Sequence, residues 1–240
     1  MTIDAQATVL VLGGTGGVGE GVVRALLDDG ARVIATSRDA RRAAEFAARN
    51  PHPALRVAEL DALAPDLEDA ARALAAEHGP FDAVIVSIAS WGEQGRKPLL
   101  QLTDTEWDAL VAENQTAVFR AYRAFFPVIA RGGMLVQLNG MSADLPFPGA
   151  GGVALAAAAT KSLTRTLAVE TAASGVRVYQ LVLGVVRTRA RRLAGIDDLR
   201  WIDGEQIGAH LADLLAGRSP LTGEVLQYFV DRERGAERAA

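Results

Sequence analysis

Seven consecutive residues, Gly13-Gly14-Thr15-Gly16-Gly17-Val18-Gly19, carry the plainest chemistry in this chain. The apolar run Val9-Leu10-Val11-Leu12 leads into them, and a helical pattern follows from Glu20 to Asp29. Glycines at a strand–turn–helix junction let the backbone turn sharply and approach a pyrophosphate. The helix start adds unpaired N–H groups and a partial positive charge. This order of elements is what a dinucleotide site requires. A second candidate closes the next apolar run, Arg32 to Thr36, where Ser37 and Arg38 follow. An acidic residue there would bond a ribose hydroxyl, whereas the planar fork of an arginine suits a 2′-phosphate. Ser37 and Arg38 therefore favour NADP(H) over NAD(H). The competing reading is a solvated Arg38 paired with Asp39.

Other chemistries are excluded by composition. The chain has no cysteine, so disulfides, thiolate metal sites and a cysteine nucleophile are ruled out. His52, His78 and His210 lie far apart, and no metal site is expected. A net charge of -4 argues against a nucleic-acid groove, although Arg187 to Arg192 is locally basic. No apolar run is long enough to cross a bilayer. The opening residues, Met1 to Thr8, lack the basic cluster of a secretory signal, so a cytoplasmic protein without membrane partners is expected.

The elements that must hold these groups alternate along 240 residues. Strand patterns are read at Thr8–Leu12, Arg32–Thr36, Leu55–Leu60, Asp82–Ser87, Gly133–Asn139, Val176–Leu183 and Val225–Phe229. Helix patterns fall between them. Asp39–Arg49 stops at Asn50-Pro51, and Pro65–His78 stops at Gly79-Pro80. A capping box, Thr103-Asp104-Thr105-Glu106, opens a long helix to about Arg131. An alanine-rich helix runs from Gly152 to about Ser174, and a short one from Glu205 to Leu215. Alternation of this kind predicts right-handed βαβ units in one α/β, doubly wound Rossmann-type domain with a parallel sheet of about seven strands. Its ligand is expected beyond the carboxyl ends of the strands.

With these pieces placed, the chain resembles the short-chain dehydrogenase/reductase family over nearly its whole length. Gly13, Gly17 and Gly19 match the family's GxxxGxG, while Gly13, Gly16 and Gly19 also spell the GxxGxxG of its extended and NmrA-like members. The resemblance implies cofactor contacts from Gly13, Thr15, Gly16, Gly17, Val18 and Gly19. It further implies contacts from Leu60 and Asp61 near adenine, and from Ala89 in Ser87-Ile88-Ala89-Ser90. Thr188, in Gly184-Val185-Val186-Arg187-Thr188, falls where the family's threonine touches the nicotinamide end. Asn114 matches the asparagine that holds a relay water. Lys161, in Ala159-Thr160-Lys161-Ser162-Leu163, matches the active-site lysine, which also binds nicotinamide ribose.

The catalytic positions depart from the family. In that alignment the tyrosine of YxxxK is Ala157 and the serine is Gly140, with Ser142 two residues on. Tyr122, Tyr179 and Tyr228 sit on other elements. A positioned general acid is worth about 10²–10⁴-fold, so an unactivated ketone becomes a poor substrate without one. Three outcomes are compatible. The first is an NADPH-dependent oxidoreductase of non-standard mechanism acting on an activated carbonyl, enone or imine, with Asn114, Lys161 and Ser142 as its catalytic candidates. The second is a dinucleotide-binding sensor without turnover, and the third is a non-redox dehydratase, cyclase or isomerase on the same fold. Substrate contacts are expected from the stretches after the fourth, fifth and sixth strands, where Trp91, Phe147 and Trp201 offer an apolar lining. The Arg187, Arg189, Arg191 and Arg192 cluster reads as solvated, the alternative being a site for an anionic substrate. A homodimer or homotetramer through the long and the alanine-rich helices is the family's usual assembly.

Overall fold

Five residues with no exposed side chain, Thr8–Leu12, form β1, and the rest of the sheet is laid out around it. The computed structural model describes residues 7–239. The chain continues through α1 (Gly17–Asp28), β2 (Arg32–Ser37), α2 (Ala40–Arg49), β3 (Leu55–Glu59), α3 (Leu67–His78) and β4 (Phe81–Val86). Next come α4 (Asp104–Val111), α5 (Ala117–Phe125), β5 (Ile129–Gly140), α6 (Gly151–Glu170) and β6 (Arg177–Leu183). It ends with β7 (Val186–Arg187), α7 (Arg189–Leu193), β8 (Ile202–Asp203), α8 (Gly204–Leu215), β9 (Leu226–Phe229) and β10 (Ala236–Arg238).

Eight strands form one sheet in the order β10-β9-β6-β5-β4-β1-β2-β3, one more than the sequence pattern predicts. The additional strand, β10, pairs antiparallel with β9, and the other pairs in that sheet are parallel. Its residues, Ala236-Glu237-Arg238, are too few and too polar to announce a strand. The strand order reverses where β1 meets β4, so the carboxyl ends of these two strands flank the crevice in which such sheets take ligands. Two apolar layers cover the faces. One packs α1 and α8 on Val9, Val11 and Val33, and the other packs α3 and α5 on Leu10, Leu12 and Val84.

The helix from the capping box is shorter than its pattern. Thr103 and Glu106 do form the box, but α-helix gives way to a π-helical turn over Ala112–Thr116, and α5 stops at Phe125. Pro127, which lacks an N–H, sits in the single tight turn that follows, and β5 already begins at Ile129. Asn114 falls inside the π-helical turn, a local widening that the apolar period does not reveal.

Helices α1 and α8 touch through glycines. A Cβ on Gly208 would stand 2.6 Å from Ala25 Cβ and 2.9 Å from the Val22 carbonyl oxygen. Gly208→Ala is therefore expected to lower the unfolding free energy by about 1–3 kcal/mol, because the helices must separate to admit the methyl group. A urea denaturation midpoint equal to that of the wild type would show that the helix pair yields without cost.

Candidate active site

The glycine turn is closed by contacts that leave no room for side chains. Gly13 has φ +72°, and a Cβ there would lie 2.4 Å from the Ser87 carbonyl oxygen. A Cβ on Gly19 would lie 2.4 Å from the Gly13 carbonyl oxygen, so Gly19 seals the turn from behind and lines neither cavity described below. Gly16 is the N-cap of α1 and supplies no capping side chain, which leaves the first N–H groups of the helix to a ligand. An anion fits this cradle.

Two cavities meet at Gly16, Ser87, Ile88 and Ala89. The smaller, of about 190 Å³, brings together Gly13, Thr15, Ser37, Arg38, Leu60 and Asp61. The Ser37 hydroxyl bonds the backbone of Asp39, and the Asp39 carboxylate accepts from Arg42 N–H at 2.7 Å as the cap of α2. Asp39 is thus engaged at home. Arg38, about half exposed, pairs instead with Glu113 at 3.3 Å. The other oxygen of Glu113 is buried and has no hydrogen-bond partner. Asp61 accepts from Leu63 N–H with one oxygen, at 2.9 Å. Glu113 and Arg42 also line this cavity, and nothing in their spacing marks them.

The larger cavity, of about 530 Å³, collects Gly17, Val18, Ala89, Asn114, Ser142 and Thr188. Gly17 and Thr188 face each other so closely that a Cβ on Gly17 would lie 2.8 Å from Thr188 Cγ2. The Asn114 amide is fully engaged: its oxygen accepts from Ser90 N–H at 2.8 Å, and its nitrogen donates to the carbonyls of Ser90 (3.0 Å) and Leu110 (2.9 Å). It holds the chain after β4 against the π-helical turn. Ser142 Oγ lies 3.5 Å from the point a Cβ on Gly140 would occupy. Its hydroxyl therefore reaches the region a side chain at 140 would fill. Trp91 lines the cavity with Phe147 behind it, ring centres 6.5 Å apart.

Lys161 is engaged by two side chains of its own. It lines neither cavity, and its ammonium donates to Asp144 at 2.5 Å and to the Tyr228 hydroxyl at 2.6 Å. Tyr228 donates to the second Asp144 oxygen at 2.8 Å. Burial opposes ionisation of Asp144, but the bonds from Lys161 and Tyr228 outweigh it and hold the carboxyl below its usual range. Burial likewise works against the Lys161 charge, and the same two partners more than compensate. The side chains of α6 that line the larger cavity are Val153, Ala156, Ala157 and Thr160. Of these, Ala156, Ala157 and Thr160 are buried, and Val153 is partly exposed; Val153 and Ala157 stand four residues apart on this lining.

Beneath α6 runs a buried strip of amides and hydroxyls. Tyr122 donates to Gln137 at 2.8 Å, Thr164 also bonds Gln137, and Gln180 bonds both. Asn139 donates to the Ala157 carbonyl at 2.8 Å and accepts from Gly140 N–H at 2.9 Å. Burial pushes the Tyr122 phenol far above its ordinary value, so it stays protonated and structural. His210 bonds Gln227 Oε1 at 2.6 Å, well outside the cleft, and burial lowers its pKa. Arg187 is paired with Asp197 (2.7 Å) and Asp203 (2.9 Å). Arg191, read from the sequence as solvated, lines the larger cavity. No group of three or more acidic or histidine side chains arranged for a metal occurs among the described residues.

Residues 13–212 match the family described as Enoyl-(Acyl carrier protein) reductase. Dehydrogenase/reductase SDR family member 4 of Bos taurus is 31% identical over 80% of this chain and 70% of its own. The chain belongs to the short-chain dehydrogenase/reductase family. This short-chain dehydrogenase/reductase is also 29% identical, over 93% of its length and 92% of the relative's, to a hexahydroindene-carboxyl-CoA reductase of Mycobacterium tuberculosis. In fold it is similar to an NADPH-bound short-chain oxidoreductase of Pseudomonas aeruginosa PAO1 described as containing an atypical catalytic center. That match has a TM-score of 0.81 and 24% identity, and covers 100% of both chains. No helix among the described residues is long and apolar enough to cross a membrane.

Proposed function

We propose that this short-chain dehydrogenase/reductase binds NADPH along the two joined cavities and reduces a small activated carbonyl, enone or imine without the family's tyrosine and lysine. One observation carries the reading. A side-chain-free glycine cradle joins a cavity holding Arg38 to a larger one that ends at Thr188, Gly140 and Ser142. The name of the Pseudomonas neighbour, which includes both NADPH and an atypical centre, points the same way.

When bound, the nicotinamide supplies the hydride chemistry. The protein's share is orientation. Gly13 to Val18 would hold the pyrophosphate, Arg38 would exchange Glu113 for a 2′-phosphate, and Thr188 would close over the nicotinamide end. Ser142, whose hydroxyl is the atom nearest a Cβ on Gly140, would donate to an oxygen gaining charge in the cleft and pass on a proton taken from water. Asn114 acts by position, fixing the Ser90 backbone. Lys161 stands aside, tied to Asp144 and Tyr228. The reading includes a homodimer or homotetramer across α5 and α6, where Phe119, Leu155 and Val169 are exposed.

A charge-assisted hydrogen bond is worth about 1.5–3 kcal/mol, so Arg38→Ala is expected to weaken NADPH binding by about 10–100-fold. NADH binding, which lacks the phosphate, should stay within about twofold of wild type. Calorimetry on both dinucleotides checks this, and equal losses would remove the assignment of Arg38. A second reading, a sensor that binds NADPH without turnover, draws support from the absence of any carboxylate, lysine or histidine from the lining of the larger cavity among the described residues. Following NADPH absorbance with a panel of enones, imines and activated carbonyls separates the two. Consumption above background supports the reductase, and tight binding with none supports the sensor.

A further inference from the structure

We infer that the substrate carries an anionic group, carboxylate or phosphate, which docks on Arg191 at the mouth of the larger cavity; the inference rests on the catalytic reading of that cavity given above.

Arg191 is the only charged side chain lining that cavity among the described residues. It is fixed in place. Its backbone N–H is held by the Thr188 hydroxyl at the start of α7, one guanidinium nitrogen donates to the Val186 carbonyl at 2.6 Å, and the group lies 5.6 Å above the Trp201 ring. Among the described residues no carboxylate forms an ion pair with it, whereas Arg187, four residues earlier, has two. Arg96 stands nearby on the chain after β4, stacked 5.3 Å from the Trp91 ring and 4.8 Å from Phe147, again without an acidic partner among the described residues. Trp91 lines the same cavity, and Arg96, which does not, stacks on that ring.

An arginine half out of water without a counter-ion is costly, and a second cation beside it adds to the cost. Burial first, and then the Arg96 charge, push the Arg191 guanidinium below its ordinary value. The fork of an arginine lining the cavity suits the paired oxygens of a carboxylate or phosphate. The rings add apolar contact for the carbon skeleton between that anion and the reacting centre. The pyrophosphate already has its place at the glycine turn, one reason to assign Arg191 to the substrate.

The test uses matched probes: 4-oxo-2-pentenoate against its methyl ester, and dihydroxyacetone phosphate against dihydroxyacetone. Each is titrated calorimetrically into the full chain, with and without NADP+, for wild type and Arg191→Gln. At least one anion should bind about tenfold or more tighter than its neutral partner, and Arg191→Gln should erase that preference while NADP+ affinity stays within about twofold. A preference confined to the first pair identifies an acid as substrate, and one confined to the second a phosphorylated compound. Arg96→Gln, which removes the neighbouring cation, should reduce the same preference, and it decides the question if Arg191→Gln loses its native circular dichroism. Equal affinity for charged and neutral members of both pairs overturns the inference. So does an Arg191→Gln variant that loses NADP+ affinity yet keeps the anion preference. Failure of NADP+ itself to bind would instead remove the NADPH reading, and the comparison without cofactor still decides whether an anion docks here.

Discussion

A Gly140→Ser/Val153→Tyr/Ala157→Lys variant is expected to reduce an unactivated ketone with NADPH at least about 10²-fold faster, in kcat/KM, than the parent chain. Val153 and Ala157 lie one turn apart on the face of α6 that borders the larger cavity, and Gly140 stands across from them. A Cβ on Gly140 meets nothing closer than the Ser142 hydroxyl, so a serine fits. A lysine one turn from a phenol lowers the phenol's pKa by its charge and makes it a better acid in the physiological range. The comparison that gives the experiment its force is Gly140→Ser/Ala157→Tyr, which follows the alignment read from sequence and relies on the native Lys161. That lysine is committed to Asp144 and Tyr228, so the double variant should gain far less than the triple. Steady-state rates with a simple ketone, on proteins shown to be folded, decide between them. A double variant that matches the triple would mean that Lys161 leaves its partners to serve the cleft.

The second large effect concerns the cofactor alone. Gly17→Val should weaken dinucleotide binding by at least about 100-fold, or about 2.7 kcal/mol, with little change in thermal midpoint. Gly17 is exposed and sits in the first turn of α1 with ordinary negative φ, so a side chain there strains no backbone. Its added Cβ would meet the Thr188 side chain at 2.8 Å, beside the turn proposed for the pyrophosphate. Gly13 would be a poorer choice, since its positive φ and its contact with the Ser87 carbonyl make any substitution there a folding defect. Calorimetry with NADPH and NADH beside a melting curve separates the two effects. Unchanged affinity for both would mean that the dinucleotide does not pass over this turn.

The sheet and the glycine turn were legible because apolar runs, glycine clusters and caps are local signals, and each central strand announces itself in five or six residues. The catalytic face of α6 was not. Ala156 to Ala159 is an alanine tract without phase, and Lys161, the conspicuous polar residue after it, set the expected register for want of any other mark. Val153 and Ala157 form a second pair four residues apart on this helix that lines the larger cavity, and no sequence pattern singles them out. Arg191 was hidden for the opposite reason. Four arginines in six residues look alike in sequence, and only the ion pairs of Arg187 and the cavity lining separate Arg191 from the rest. The Arg38–Glu113 pair joins elements 75 positions apart, beyond any local rule.

The lining of the larger cavity holds amides, hydroxyls, methyl groups and a single guanidinium. Among the described residues, such a lining carries no side chain that titrates near neutrality. Its charge state does not follow the acidity of its surroundings, and any hydrogen ion a reaction there consumes must be imported from the bulk with each cycle.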